Sequence, residues 1–400
     1  LKSKGAYLHG ETAEENIIGY RKNGKPIYAM KGGAWGDPAV TRLRRQADTS
    51  IAYATGVNTP QTLQHVGLLK RLRLITSLNI TNVLNGGTSV QDTQGPWNLF
   101  SNLLIRVSGL DLLYQVSGWG LYLINLVNNY QGAPNAAGIA TANTANQQTT
   151  TASVFNYPLA GAITAETLLF ALDLPFTAPL LGFEDLGLWL IQNETVNMEV
   201  VPTFANLGGA TNLNQPYVLT GAATATVNSG ATAIWREFYG VPQRQEDMPP
   251  LGYVHQWEEQ FNAITGSQVD IDHQRGGVLL RLLYQIDDAD TAGDGSNVLA
   301  GITNPNVTSI EFKYDANDTP FDEDVTSILA RQRELYGRDL PQGTFAHDFF
   351  SQTKTMQDSY NTENYINIKT RFRFAKSLIA GSRIRTIRER LLPVVLNTTQ

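Results

Sequence analysis

Cysteine is absent from this 400-residue chain. Its absence removes disulfides, thiolate metal sites and cysteine nucleophiles together, so stability has to come from burial and assembly. Charge is sparse: Asp, Glu, Lys and Arg make up 16% of the residues, which argues against a coiled coil or helical bundle. Long apolar runs are also missing. The most apolar window, Leu168 to Ile191, is interrupted by Asp173, Pro175, Pro179, Glu184 and Asp185 and cannot cross a bilayer as a clean helix. The chain opens at Leu1 rather than Met, from which a removed or omitted leader is expected, and no charged n-region with an apolar core stands at its start.

Catalytic constellations are equally scarce. The histidines, His9, His65, His255, His273 and His347, form no close pair and no HExxH or HxH spacing, so each reads as a surface or satisfied core residue. No G-x-S-x-G stands in the chain to place a serine nucleophile. Paired carboxylates are the one enzymatic option: Glu258 with Glu259 beside Trp257, and Glu184 with Asp185. Adjacent residues on a strand point to opposite faces, which makes them poor partners across a glycosidic bond. The run Asp287, Asp288, Asp290 and Asp294 lacks the spacing and terminal Glu of a calcium loop and reads as a solvated turn. No metal or cofactor is expected.

At 400 residues the chain is long enough for two domains. Period-two alternation recurs through it. Leu72, Leu74, Leu78 and Ile80 alternate with Arg71, Arg73, Ser77 and Asn79; Val196, Met198 and Val200 with Asn197 and Glu199. Ile310, Phe312 and Tyr314 alternate with Glu311 and Lys313; Ile366, Ile368, Phe372 and Phe374 with Asn367, Lys369, Arg371 and Arg373. This is the pattern of half-buried strands in a sandwich. From Val278 to Ile286 both faces are apolar, as for a strand covered on both sides. Few helices are expected. One spans Pro320 to Tyr336, with Thr319 as N-cap and Asp322 completing the capping pattern; another spans Ser117 to Tyr130. Two tracts poor in bulky residues, Gln131 to Ser153 and Gly208 to Ala233, are expected to be loop excursions. A proline-rich divide, Gly240 to Leu251, is the expected domain boundary.

The net charge of -6 conceals basic ends. Residues 1 to 73 carry 12 basic against 5 acidic residues, or +7, and residues 369 to 390 carry 8 against 1, again +7. Such ends could face anionic lipid or nucleic acid, or could pair with acidic groups of the same protein. In the first basic stretch, Asp37 and Pro38 are expected to open an amphipathic helix along Val40, Leu43, Ala47 and Ile51, with Arg42, Arg44 and Arg45 supplying charge. Gly19 to Ala34 before it reads as an arm that orders on assembly.

Two passages, GPWNLFSNLLIRVSGLDLLYQVSGWGLYLIN from Gly95 to Asn125 and LPQGTFAHDFF from Leu340 to Phe350, resemble segments of the major capsid proteins of tectivirus-like viruses, the lineage that includes adenovirus hexon. Their order and spacing carry the resemblance from about His65 onward. It implies an all-β fold of two tandem eight-stranded jelly-roll barrels, a double jelly roll, with few short helices and an N-terminal arm. Residues 1–64 would then form the arm, 65–248 the first barrel and 249–400 the second. The implied function is a non-enzymatic major capsid protein of an icosahedral, internal-membrane-containing dsDNA virus. It would be made in the host cytoplasm and built into the virion as pseudo-hexagonal homotrimers. Expected partners are neighbouring capsomers, vertex and minor capsid proteins and the internal membrane, without sequence-specific nucleic-acid binding. Arg42, Arg44, Arg45, Lys70, Arg71 and Arg73 are the candidate membrane or inner-face contacts. The alternative is a soluble β-sandwich that binds or cleaves carbohydrate.

Overall fold

The computed structural model describes residues 17–20, 26–28, 42–107, 110–128, 156–158, 161–180, 183–191, 197–210, 215–242, 251, 253–289, 300–301, 306–315, 318–349 and 359–393. In the first half the principal elements are β1 (Leu43–Ala52), β2 (Leu68–Val83), β3 (Phe100–Val107), β4 (Leu110–Val116), α1 (Gly118–Val127), β5 (Ile163–Pro175), β6 (Met198–Phe204) and β7 (Thr224–Tyr239). The second half contributes β8 (Tyr253–Ala263), β9 (Gly266–Asp272), β10 (Val278–Asp288), β11 (Val307–Tyr314), β12 (Asp318–Asp324), α2 (Val325–Tyr336), β13 (Thr344–Asp348), β14 (Ile368–Leu378) and β15 (Arg383–Pro393).

These strands form two sandwiches. In the first, the sheet ordered β5-β2-β7-β1 faces the sheet β4-β3-β6, which the short strand Gln61–Thr62 extends. In the second, β8-β15-β10, with β13 and the short strands Ala300–Gly301 and Tyr360–Asn361 also paired to β10, faces β9-β14-β11-β12. The two sandwiches share a sheet: β8 runs parallel to β4, with Trp257 opposite Tyr114 and Glu258 opposite Gln115.

The alternating apolar residues lie inside, as expected. Leu72, Leu74, Leu78 and Ile80 are buried in the first sandwich, and Ile310, Phe312, Tyr314, Phe372 and Phe374 in the second. Each fully buried Leu or Phe contributes roughly 1.5–3 kcal/mol relative to exposure. Ile366 is 74% exposed, because β14 begins two residues later. On β10 every residue after Val278 is buried, so the two-sided apolar reading of that strand holds.

α1 matches the second expected helix and is buried on all sides. Ser117 caps it by accepting a hydrogen bond from Gly120 N. The ring of Trp97 stacks on Tyr122 with centroids 3.7 Å apart, and Trp119 lies 5.1 Å from Tyr122. Gly118 lets the backbone close on Trp97 O, where a Cβ would collide. The Gly95 to Asn125 passage is thus one packing node. Asn125, at the far end of α1, accepts from Asp173 N at 2.7 Å and donates to Asp173 O at 2.6 Å, stitching helix to β5.

Three expectations are corrected. Residues 43–52 are an edge strand, not part of a basic helix: β1 pairs along β7. Asp48 is held there by the buried Arg236 at 2.6 Å, a long-range attachment that overrides local helical spacing. Residues 37–41 lie outside the described residues. The helix expected from Pro320 starts instead at Val325, because Asp318–Asp324 pairs with β11 and the cap is Asp324, which accepts from Ser327 N at 2.9 Å. The Gly208 to Ala233 tract is no simple excursion either, since its second part is the first ten residues of β7. Its Ala and Thr side chains are small, and Gly230, at φ +139°, follows the bulge between Val227 and Ser229 at a point where a Cβ would strike Ser77 O. The Gln131 to Ser153 tract and residues 243–250 of the divide lie outside the described residues.

Candidate functional site

Of the predicted basic contacts, Arg45, Arg71 and Arg73 fall on one sheet face, where β2, β5, β7 and β1 run side by side. Registers place Arg73 opposite Asp173, Arg71 opposite Glu237 and Glu237 opposite Arg45. Arg73 forks onto Asp173 at 2.8 and 2.9 Å. Arg71 donates to Glu237 from Nε at 2.8 Å, again from Nη2, and reaches Asp173 at 3.8 Å. Arg45 approaches Glu237 at 3.3 Å while 69% exposed. Burial alone would raise the Glu237 carboxyl, but Arg71 and Arg45 outweigh it and hold the group below the usual carboxylate range. The fork to Asp173 raises Arg73 against its partial burial. Lys70 donates to the Tyr239 hydroxyl at 3.1 Å. The sheet therefore gathers Arg45, Arg71 and Arg73 but neutralises most of their charge. Arg42, just before β1, and Arg44, near its start, are exposed.

The basic end at residues 369–390 is absorbed in the same way. Arg383 pairs with Asp287 at 2.9 Å, Arg385 with Glu259 at 2.7 Å and Arg388 with Glu258 at 2.7 Å. Arg371 pairs with Asp270 at 2.7 Å and holds that carboxyl low. Glu258 and Glu259 thus serve opposite faces of β8 as ion-pair partners, not as a catalytic couple. Glu259 also accepts from Ser117 N and from Ser117 Oγ, the latter at 3.0 Å, placing a negative charge at the N-terminus of α1. Asp290 and Asp294 lie outside the described residues, as do the side chains of Glu184 and Asp185.

A second set of charges joins the halves deeper down. Arg281 on β10 donates to Asp348 at 2.8 Å, meets Glu389 at 3.2 Å and reaches Asn128, just past α1, at 3.1 Å. Tyr336 of α2 donates to Asp348 at 2.9 Å, and His255 Nε2 meets Glu389 at 2.8 Å. Asp348 comes from the LPQGTFAHDFF passage, whose His347 and Phe349 enter the second core. Sequence reasoning missed this network. Its members are far apart in the chain, and the one available signal was the surplus of Arg on β15 opposite acids on β8 and β10.

Among the described residues no helix is long and apolar enough to cross a membrane, and no group of three or more His, Asp or Glu is arranged for a metal ion. No family model matches the chain, and no curated protein matches its sequence. Solved structures do match. The STIV MCP, from Sulfolobus Turreted Icosahedral Virus, superposes with a TM-score of 0.63 at 13% identity, covering 88% of this chain and 97% of that one. The fold is that of double jelly-roll major capsid proteins. The PBCV-1 virus capsid structure gives a TM-score of 0.56 at 12% identity, covering 88% of this chain and 93% of that one. Major capsid protein P2 from Bacteriophage PM2 gives 0.51 at 11%, covering 89% and 99%. Near-complete mutual coverage means both jelly rolls and their connection are shared.

Proposed function

We propose that this chain is a major capsid protein, built into the shell of an icosahedral virion as pseudo-hexagonal homotrimers. The observation that carries the reading is the pair of jelly rolls locked side by side by a shared sheet, so that three copies present six barrels of similar size. A rigid two-barrel block suits tiling. Likeness to capsid proteins along almost the whole chain supports the same use, and the ion-paired state of Glu258 and Glu259 removes support for a glycosidase.

The proposal divides the chain as the sequence suggests, with the barrels at 65–248 and 249–400 and an arm before them. It amends the arm: β1 and the short strand Gln61–Thr62 belong to the first sandwich. Neighbouring capsomers, vertex and minor capsid proteins are the partners, in an internal-membrane dsDNA virion. Arg42, Arg44 and Arg45 are the inner-face or membrane contacts; Arg71 and Arg73 instead hold the sheet through Asp173 and Glu237. Sedimentation analysis of the purified chain tests the core of the proposal. A species of three chain masses, each 43.9 kDa, that persists on dilution is the expected result. A monomer that binds or cleaves glycans refutes it.

A further inference from the structure

A sheet with one face on a core usually turns polar residues outward on the other. The second barrel follows that rule: on the outer face of β14, Lys369 and Arg371 pair with Asp270, and Arg373 with Glu311. The corresponding face of the first barrel does not. Registers set Trp235 opposite Arg73, Ala233 opposite Ile75, and Ala231 and Leu169 on either side of Ser77, on the face away from the core residues Leu72, Leu74 and Leu78. Trp235 is 40% exposed, the one exposed tryptophan among the described residues. Ile75, Ala231, Ala233 and Leu169 are half-buried and Ser77 is exposed. Two successive rows across these strands, through Ala233 and through Ala231, hold no charged residue.

The face is also broad. Its strands β1, β2, β5 and β7 run for 10, 16, 13 and 16 residues. At roughly 3.4 Å per residue and 4.8 Å between strands, they present about 900 Å² of outer face. A standard protein interface takes about 800 Å² from each partner, with aromatic anchors and few charges at its core and polar groups at its rim. Trp235 and the two uncharged rows match such a core. The ion-paired row of Arg45, Glu237 and Arg71 lies to one side of them, where a rim would fall and where charges contribute little to affinity. In a closed ring of three copies each contact joins unlike surfaces of two neighbours, so every copy must commit one face of about this size to the next.

We propose that the outer face of the β5-β2-β7-β1 sheet is the surface by which the first barrel docks on a second copy of this chain, with Trp235, Ala233 and Ile75 at its centre. This assignment rests on the trimeric block proposed above and names the face that closes it. The chain has no cysteine, so one introduced thiol reports on the face alone. Ser77→Cys exchanges a single oxygen for sulfur at an exposed position of β2. Its rate of maleimide labelling is measured in the full chain, native and unfolded in urea, while sedimentation records the state of assembly. The expected result is a trimer whose thiol reacts tenfold or more slowly than in urea, although position 77 is open in the single chain. Ala233→Glu, which sets a charge at the centre, should raise the concentration for half-dissociation of the trimer at least tenfold with an unchanged circular dichroism spectrum. If that variant does not fold, the labelling rate at position 77 decides. A trimer whose thiol reacts within about threefold of the unfolded rate, or a folded Ala233→Glu that dissociates as the parent does, overturns the docking face and leaves the trimer standing. A parent that sediments as a monomer at every concentration overturns both.

Discussion

Lowering the pH from 7 to 5 should destabilise the second barrel through two buried histidines. His273 and His347 are packed among Tyr284 and Phe312, His347 also against Phe321 and Phe349, and burial pushes both down to about 3. Arg388 adds to the depression of His273, and Arg331 with His273 to that of His347. Thr370 accompanies His273 at 2.8 Å, and Glu323 is 3.9 Å from His347, too far for a hydrogen bond. In the unfolded chain both titrate near 6.5. The unfolded state therefore binds more protons than the native state below that value, and stability is present above about pH 6.5 and lost as pH falls towards 3. At pH 5 each group forfeits about 2 kcal/mol, and the pair about 4 kcal/mol. That is a large part of the 5–15 kcal/mol typical of a domain.

His347→Phe isolates the effect, because neither ring nitrogen of His347 has a hydrogen-bond partner to lose. Urea unfolding followed by tryptophan fluorescence at pH 7, 6 and 5 should show the parent losing about 4 kcal/mol and the variant about half of that. The carboxylates Glu237 and Asp270, held low by arginines, add their own loss at lower pH, below their ordinary values near 4. An equally steep loss in His347→Phe between pH 7 and 5 would refute the reasoning. So would NMR titration of His347 near 6.5 in the folded protein.

Arg281→Met strands Asp348 and Glu389 in the interior and should cost about 3–5 kcal/mol in chemical unfolding; combined with Asp348→Leu, the loss should be smaller than the sum of the single losses. Additive losses in that cycle would show that the two side chains do not act as a pair. Replacing Arg42, Arg44 and Arg45 together by Glu should leave trimers intact, since Arg42 and Arg44 are exposed and Arg71 still holds Glu237. It should reduce particle yield or lipid association, and unchanged particles with unchanged lipid content would remove these arginines from the inner-face role.

Much of the fold was legible in the sequence because burial writes itself into side-chain periodicity. The alternations around Leu72 and Phe312, the two-sided Val278 to Ile286 run and the helix expected from Ser117 are local statements, and each corresponds to an element observed. The long strand β7 was harder to see: Thr224 to Ala233 has little apolar contrast, so its partners, not its own pattern, make it a strand. The same holds for Leu43 to Ala52, whose spacing fits a helix until the edge of β7 and the buried Arg236 claim it.

By itself the sequence determined the class of fold, the two-part organisation and the lack of cysteine chemistry, since these depend on composition and on short-range pattern. Tertiary structure alone decided the fate of the charges. Arg71 and Glu237 are 166 residues apart, Arg73 and Asp173 100 residues, and Arg281 and Asp348 67 residues, so no local pattern could pair them. Among the described residues, what reads along the chain as two basic ends becomes, once strands are set side by side, a set of largely neutralised seams, with Arg42 and Arg44 left at the surface. Ion pairing is a property of distance in space, and the fold alone sets that distance.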